Sequence, residues 1–376
     1  MSEAVAVPGD HHMRTPIEMA SDDDLAALIA LAGLPSLTPS RLWALLELGP
    51  ASQVWDRVAG GGAPRTGRPK DAADRWPGWS AVTDPHLELA RHRQLNVSVL
   101  PFGHEGYPDA LLDDPDPPAV IFRRGPHPLD DRVRVAIVGT RACTRYGRGI
   151  ARGLGGALAQ RGVDVVSGLA TGIDAAAHAG AVQHDQARTV AVVAGGVDVV
   201  YPPNNRGLYQ QIGSHGLLLS EWPLGASPAP WRFPARNRIV AALAAAVVVI
   251  ESAEKGGSMY TVDEALRRNR AVFAVPGSIH SPASKGTNKL IADGAHALYD
   301  VNDLLDTVAP VAASTKTRTL TGVESWLLEA IGWEPVALDT VVAESGRSPA
   351  EVTLEVERLI AGGAIHRAGG VIERVA

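Results

Sequence analysis

Glycine-rich turns that also carry arginine, serine or threonine follow the short apolar runs of this chain, and these residue types can bind phosphate. Gly139, Thr140 and Arg141 come directly after one apolar run, and Ser167 and Gly168 end the next. Glycine lets backbone N–H groups approach an anion at a helix start, and the planar arginine side chain can hold two phosphate oxygens. The residues therefore indicate binding of a nucleotide, a sugar phosphate or a nucleic-acid backbone.

Later segments supply more residues of the same types. Arg236 and Arg238 flank Asn237 at a predicted helix start, which suits a second anion contact. Four or more such turns on one sheet edge exceed what a single nucleotide needs and fit successive phosphates of a strand. Neither the G-x-G-x-x-G fingerprint nor a P-loop motif occurs. The later candidates are Arg236, Asn237, Arg238, Gly257, Ser258 and Lys285.

Other arrangements remain open for some of these residues. Arg141 could form an ion pair with an acidic residue of a helix, an equally common arrangement. Asp174 and His178 lie four residues apart on a predicted helix, where they could form an acid–base pair; we expect structural hydrogen bonds instead. No further ligand of suitable spacing accompanies them, and the single cysteine, Cys143, excludes a disulfide or a Cys-based zinc site. We expect neither metal, cofactor nor catalytic residue.

Positioning these turns requires a sheet of buried parallel strands joined by helices. The candidate strands are continuous apolar runs, as expected for strands buried on both faces, and their starts recur every ~25–30 residues, the length of a strand–helix unit. The fold class is therefore α/β with a mostly parallel sheet. Predicted strands are 134–138, 163–167, 189–193, 217–220, 246–250 and 271–275. Predicted helices are 148–160, 173–184, 205–213, 237–244 and 259–269.

Composition shifts and turn residues divide the chain into segments. Glycine and proline enrichment indicates linkers. The segment from Val323 to Val375 predicts three helices, one of them capped at Ser348, followed by a β-ribbon, which is a winged-helix pattern. We predict a disordered tail at 1–20, a small helical module of helix-hairpin (SAM-like) type at 21–59, a linker at 60–80, the α/β domain at 81–309, a linker at 310–317 and a winged-helix-like domain at 318–376.

Charge is distributed unevenly along the chain. The net charge is -6, yet residues 132–300 hold 18 Lys and Arg against 11 Asp and Glu, an excess of 7 positive charges. Such segregation favours a polyanionic partner for the central domain. The longest apolar stretch, Ile239 to Ile250, is too short to span a bilayer, and the N-terminus has acids but no apolar signal core. We expect a cytoplasmic protein without membrane contact.

Few aromatic residues are available for stacking on bases, since they make up 5% of the chain. Several fall near the predicted rim, where one or two could stack on bases of a single strand. Each alone could equally pack in the core or under a lid. They are Tyr146, Tyr201, Trp222, Trp231 and Phe233.

A series of motifs between about residues 106 and 300 resembles the DNA-processing protein A family (DprA, also called Smf). The resemblance implies a Rossmann-like, doubly wound domain that binds single-stranded DNA, protects it, and loads the RecA recombinase during natural transformation. It also implies a homodimer formed through that domain. The matching motifs are Ile137-Val-Gly-Thr-Arg141, Val166-Ser-Gly-Leu-Ala170 with Gly172-Ile-Asp174, Tyr201-Pro202, Phe233-Pro234 with Arg236-Asn-Arg-Ile239, Gly257-Ser258, Val275-Pro-Gly277 and Gly286-Thr-Asn288.

The chain departs from the family pattern at some positions. Thr171 stands where the family often has a basic residue, and the turn Gly256-Gly-Ser-Met259 replaces Ser-Gly-Ser-Leu. From Thr317 onward the chain holds 5 basic and 9 acidic residues. For this acidic winged-helix segment we prefer a protein contact to a DNA contact.

An enzyme is the alternative hypothesis. The segment from Gly256 to Glu264 loosely resembles the glycine turn of nucleoside-monophosphate phosphoribohydrolases, in which a glutamate assists glycosidic cleavage. Met259 and Tyr260 replace the small residues that leave room for ribose phosphate, and the spacing differs by one residue. A closed cavity of mononucleotide size containing Glu264 would favour this reading.

Overall fold

The computed structural model describes residues 14–19, 21–62, 75–127, 129, 132–184, 189–308, 327, 336–361, 365–368 and 371–374. The chain separates into two compact units, residues 1–308 and 309–376. The predicted linker 310–317 lies outside the described residues, as do most of the predicted tail 1–20 and the middle of the linker 60–80.

A nine-stranded sheet forms the centre of the first unit, in the order β1-β2-β6-β5-β4-β3-β7-β8-β9. Strands β3 to β9 are parallel, and the hairpin β1–β2 adds to β6 in antiparallel fashion. The strand order reverses between β3 and β7, as in a doubly wound fold. The bounds are β1 Ser98–Pro101, β2 Val120–Arg124, β3 Arg134–Val138, β4 Asp164–Ser167, β5 Thr189–Val192, β6 Leu217–Ser220, β7 Ala246–Val249, β8 Ala271–Ala274 and β9 His296–Ala297.

Helices cover both faces of this sheet because successive strand residues point to opposite sides. Val135 and Ile137 of β3 belong to one hydrophobic cluster, and Ala136 and Val138 belong to the other. Helices Arg145–Gln160, Ile173–Ala181 and Val301–Val308 pack on the first side. Helices Arg206–His215, Arg232–Leu243, Met259–Arg267 and Lys285–Ala292 pack on the second. All six predicted strands and the α/β class are confirmed.

The N-terminal helices share the core of the second side. Leu28 and Ile29 are fully buried in the same cluster as Ile121 and Phe122 of β2. The hydroxyl oxygen of Ser21 accepts a hydrogen bond from the N–H of Asp24 and so caps the first helix. These helices are Asp22–Ala32, Pro39–Leu46, Ala51–Ala59, Trp76–Ser80 and Pro85–Gln94. The helical module is therefore built into the first compact unit.

The second unit pairs helices with a small antiparallel sheet of order β10-β12-β11. Ser348 and Glu351 form a reciprocal capping box, in which the Glu351 N–H donates to Ser348 Oγ and the Ser348 N–H donates to Glu351 Oε2. The elements are β10 Val336–Ala337, helices Leu338–Ser345 and Pro349–Ala361, β11 Ile365–Ala368 and β12 Val371–Arg374. The predicted helix from 323 lies outside the described residues except for Leu327. No helix in the described part of the chain is long and apolar enough to cross a bilayer.

Candidate nucleic-acid interface

An open cleft lies at the carboxyl edge of the sheet, where the strand order reverses between β3 and β7. The loops after β3, β4 and β7 and the start of helix Arg232–Leu243 line this cleft, whose volume is about 620 Å³. Crevices at such reversal points are the usual ligand sites of open α/β sheets. Eight of the eleven predicted residues line it: Gly139, Thr140, Arg141, Gly168, Arg236, Asn237, Gly257 and Ser258.

Several backbone amides of the first two turns already donate to acceptors from the protein itself. The buried carboxylate of Glu251 accepts hydrogen bonds from the N–H and hydroxyl of Thr144, which caps helix Arg145–Gln160. The carboxylate of Asp174 accepts from the N–H groups of Gly168 and Ala170 at 3.2 and 3.4 Å. Internal carboxylates therefore already accept hydrogen bonds from the N–H groups of Thr144, Gly168 and Ala170, so these three amides are not free to bind phosphate.

The glycine turn after β7 is different. The N–H groups of Gly257 and Ser258 find no acceptor among the described residues, and they precede helix Met259–Arg267. The hydroxyl of Ser258 donates to that of Ser252 at 2.9 Å, which fixes the turn. Unpaired amides at a helix start are directed toward an anion. This turn therefore leaves two amides available to an anion.

Arg141 lies exposed on the rim of the cleft. Its guanidinium carbon is 5.0 Å from the centroid of the Phe233 ring, a cation–π distance. Within the described part of the chain it forms no ion pair, so the alternative of a helix carboxylate partner is not realised. Stacking on Phe233 orients the guanidinium and leaves its N–H groups available.

Arg236 is a buried cation in the wall of the same cleft, with 4% of its surface exposed. It donates to the carbonyl oxygen of Val192, and its Nε has no hydrogen-bond partner among the described residues. A Cβ added at Gly168 would overlap with Nη1 of Arg236, so any larger residue there would displace the guanidinium. Burial lowers the pKa of Arg236 to about 10, an effect that Asp174 opposes. Arg236 thus remains charged near neutral pH.

Arg238 does not reach the cleft. Helix Arg232–Leu243 begins earlier than predicted, because Pro234 fits in a first turn whose N–H groups have no helical acceptor. Arg238 is therefore not at the helix start. Its guanidinium pairs with buried Glu221 at 2.5 Å and with Asp116 at 3.1 Å. These two carboxylates bind the guanidinium that is expected from the sequence to bind phosphate.

Two further predicted residues also lie away from the lining of the cleft. The hydroxyl of Ser167 is fully buried and donates to the carbonyl oxygen of Ile137 at 2.6 Å, which joins β4 to β3. Lys285 is exposed and begins helix Lys285–Ala292. Ser167 supports the sheet, whereas Lys285 is a surface cation that forms no ion pair with a residue that the structure describes.

Aromatic rings stand beside the cations. The Tyr201 and Phe233 rings are 5.6 Å apart, and both line the cleft with Tyr260. Tyr201 and Tyr260 are 42% and 57% exposed. By contrast, Trp222 is buried and packs edge-on against Trp231. Tyr260 is not among the stacking candidates predicted from the sequence, although its position just after a glycine turn could have indicated it.

Asp174 and His178 form separate structural hydrogen bonds, as expected from the sequence. Asp174 holds the turn amides, and Nδ1 of His178 lies 2.6 Å from the hydroxyl oxygen of Thr189. Burial raises the pKa of Asp174 and lowers that of His178 to about 3. His178 is therefore a neutral structural histidine.

Neutral His178 predicts a dependence of stability on pH. The pKa of His178 in the folded protein lies below its ordinary value of 6.5. Below that pH the unfolded chain therefore binds a proton at His178 that the folded chain does not bind. The free energy of unfolding should therefore fall below about pH 6.5, by up to ~1.4 kcal/mol per pH unit from this group. Urea unfolding of wild type and His178→Gln from pH 7.5 to 5 isolates the effect, because Asp174 and Glu221 titrate in both. Parallel pH profiles would contradict this assignment.

Glu264, the residue on which the hydrolase alternative depends, is engaged elsewhere. Its carboxylate pairs with Arg267 at 3.1 Å and with Arg268, which also binds Asp114 at 2.6 Å. It is not among the residues lining the cleft, and the cleft is open rather than closed around a mononucleotide.

Comparison with known proteins agrees with this architecture. Residues 98–309 match the family model described as DNA recombination-mediator protein A, and residues 311–356 match the DprA winged helix domain. The chain is 40% identical over 219 residues to the DNA processing protein DprA of Bacillus subtilis, covering 58% of this chain and 73% of that protein. Over 279 residues it is 39% identical to a putative DprA of Mycobacterium tuberculosis, covering 71% and 68%.

Solved structures give the same assignment. DprA from Streptococcus pneumoniae superposes with a TM-score of 0.61 at 31% identity, covering 77% of this chain and 98% of that one. DprA from Helicobacter pylori, whose structure concerns its single-stranded DNA binding mode, gives a TM-score of 0.50 at 31% identity, covering 57% and 95%. From the motifs, the wound sheet and these matches, we conclude that the chain belongs to the DNA-processing protein A (DprA/Smf) family.

Proposed function

We propose that this protein binds single-stranded DNA in the cleft, without catalysing a reaction on it. The observation that carries the proposal is the open cleft lined by the unpaired Arg141 and exposed aromatic rings. An open groove with cations for phosphates and rings for bases is how proteins hold single strands without reading sequence. The H. pylori relative, described as binding single-stranded DNA, supports this choice of ligand.

Within the cleft, some residues contact the phosphates of the strand and others contact its bases. Arg141 and the Gly257 and Ser258 amides contact phosphates, with Arg236 contributing positive charge from the wall. Tyr201 and Tyr260 stack on bases. The other predicted residues serve indirectly: they shape the cleft, support the sheet or add outlying charge. These are Gly139, Thr140, Ser167, Gly168, Asn237, Arg238 and Lys285.

Gel shifts of wild-type protein test the proposal. Single-stranded oligo-dT should bind more tightly than a duplex of equal length, since duplex bases are not free to stack. The logarithm of the affinity should fall linearly with the logarithm of the salt concentration, with a slope of about -0.7 per phosphate contacted. Equal affinity for both forms, or an affinity insensitive to salt, would refute the proposal. Release of free base from nucleoside monophosphates would instead support the hydrolase, which no observation on Glu264 favours.

We further propose that the bound strand is incoming DNA, which the protein protects and passes to RecA during natural transformation. The family's description as a recombination mediator supports this role. The acidic winged-helix unit suits a protein contact more than a DNA contact. Nuclease protection of oligo-dT and RecA strand exchange, each measured with and without the protein, test the proposal. No change in either assay would refute it.

The proposed assembly is a cytoplasmic homodimer formed through the first unit. Strand β9 has only two residues and pairs with β8 alone among the described strands, so its other edge is open to pairing. Tyr299, just beyond it, is 80% exposed. Light scattering of wild type and Tyr299→Arg tests this surface: a monomeric wild type, or an unchanged dimer in the variant, would contradict it.

A further inference from the structure

Helix Arg145–Gln160 presents a row of cations outside the cleft. Arg145, Arg148 and Arg152 are all exposed, and their spacings of three and four residues place them on one helix face. The helix contains no aspartate or glutamate. This face therefore carries positive charge along two turns.

None of the three arginines forms an ion pair with a residue that the structure describes. The adjacent helix Ile173–Ala181 has one acidic residue, Asp174, which is buried and engaged with turn amides. Like charges at these spacings repel one another. No residue in the described part of the chain pairs with these cations to offset that repulsion, so an external anion is the natural partner of the row.

Two glycines adjoin the arginines on the same exposed side. A Cβ added at Gly149 or Gly153 would meet no atom within 4 Å. By contrast, a Cβ at Gly155 would overlap with the carbonyl oxygen of Ala177, so close helix packing explains that glycine. Glycine inside a helix is unfavourable relative to alanine, and nothing internal explains Gly149 or Gly153. Their bare backbone lets a ligand chain approach the helix closely beside the cations.

We propose that this row, Arg145, Arg148 and Arg152, is a second phosphate-binding track for the strand that leaves the cleft. The loop bearing Arg141 runs directly into Thr144, the cap of the helix, so a strand held by Arg141 meets Arg145 next. Arg145 and Arg152 are about 10 Å apart along the axis, enough for two or three phosphates of one strand. The inference rests on the proposed function and extends it.

Binding to the track can be distinguished from binding to the cleft by varying the length of the oligonucleotide. The variant Arg145→Gln/Arg148→Gln/Arg152→Gln should fold normally, because glutamine and arginine have similar helix propensity. A dT of about 6 nucleotides fills the cleft alone, and one of about 20 also covers the track. We expect the variant to bind the short oligonucleotide as wild type does. Its affinity for the long one should fall roughly tenfold or more, with a log–log salt slope shallower by about 2.

The control variant Arg41→Gln/Arg57→Gln/Arg93→Gln removes the same charge from the N-terminal helices and should leave both affinities unchanged. Equal losses in control and track variants, or no loss on the long oligonucleotide, would overturn the track. If the track variant changes only the oligomeric state, the row is a protein contact and the proposal also fails. A wild type that binds neither oligonucleotide would instead refute the proposed function itself.

Discussion

Replacing Arg238 by alanine is expected to destabilise the protein by roughly 3–5 kcal/mol without acting on DNA binding directly. The reason is Glu221, which is 4% exposed and loses its guanidinium partner in this variant. Removing one member of a buried ion pair leaves the other charge uncompensated. Burial already raises the pKa of Glu221, and Arg238 opposes that rise. Without Arg238 the carboxyl can take up a proton, so the loss should be smaller at pH 5 than at pH 7.5.

Urea unfolding at the two pH values measures the loss of stability. Arg267→Ala is the matched control, because Arg267 is 61% exposed and its ion pair with Glu264 should contribute below ~1 kcal/mol. Oligo-dT binding by the folded fraction completes the test. If Arg238→Ala unfolds like wild type but loses DNA affinity, Arg238 contacts phosphate as the sequence predicts, and the ion-pair account is wrong.

The sheet could be predicted from the sequence because its strands are buried on both faces. Such strands must be largely apolar, and the six runs from Arg134 to Val275 meet that requirement apart from a few buried polar residues such as Asp164, Ser167 and Ser220. The positions of the glycine turns followed from the same pattern. Features that depend on neighbouring residues, such as the capping box at Ser348, could also be predicted from the sequence.

The residues that the sequence misassigns are those whose partners lie far away along the chain. Glu251 fills the turn at Thr144 from another strand end, and Arg238 finds Glu221 and Asp116 on separate segments. No spacing along the chain reveals such pairings. The late helix start predicted near Asn237 has a local origin instead: proline reads as a break, although a first helical turn accepts it. Phosphate-binding residue types alone therefore do not separate cations that face a ligand from cations that hold the fold.

Arg141 is the clearest cation that faces the ligand site, and replacing it by alanine should weaken oligo-dT binding by roughly tenfold to a hundredfold. Hydrogen bonds to charged groups contribute about 1.5–3 kcal/mol, and the guanidinium can hold two phosphate oxygens. The slope of log affinity against log salt should become shallower by about 0.7 for one lost contact. Stability should change by less than ~0.5 kcal/mol, because the side chain is exposed and forms no ion pair among the described residues.

Two comparison variants assign that loss to geometry rather than to charge. Arg141→Lys keeps the charge but neither the planar fork nor the same stacking on Phe233, so its affinity should lie between wild type and alanine. Arg57→Ala removes an exposed arginine from helix Ala51–Ala59 and should leave affinity unchanged. Fluorescence anisotropy across a salt series, with thermal melts of each variant, measures all of these. If Arg141→Ala binds like wild type, or Arg57→Ala loses as much affinity, the strand does not lie across the rim at Arg141.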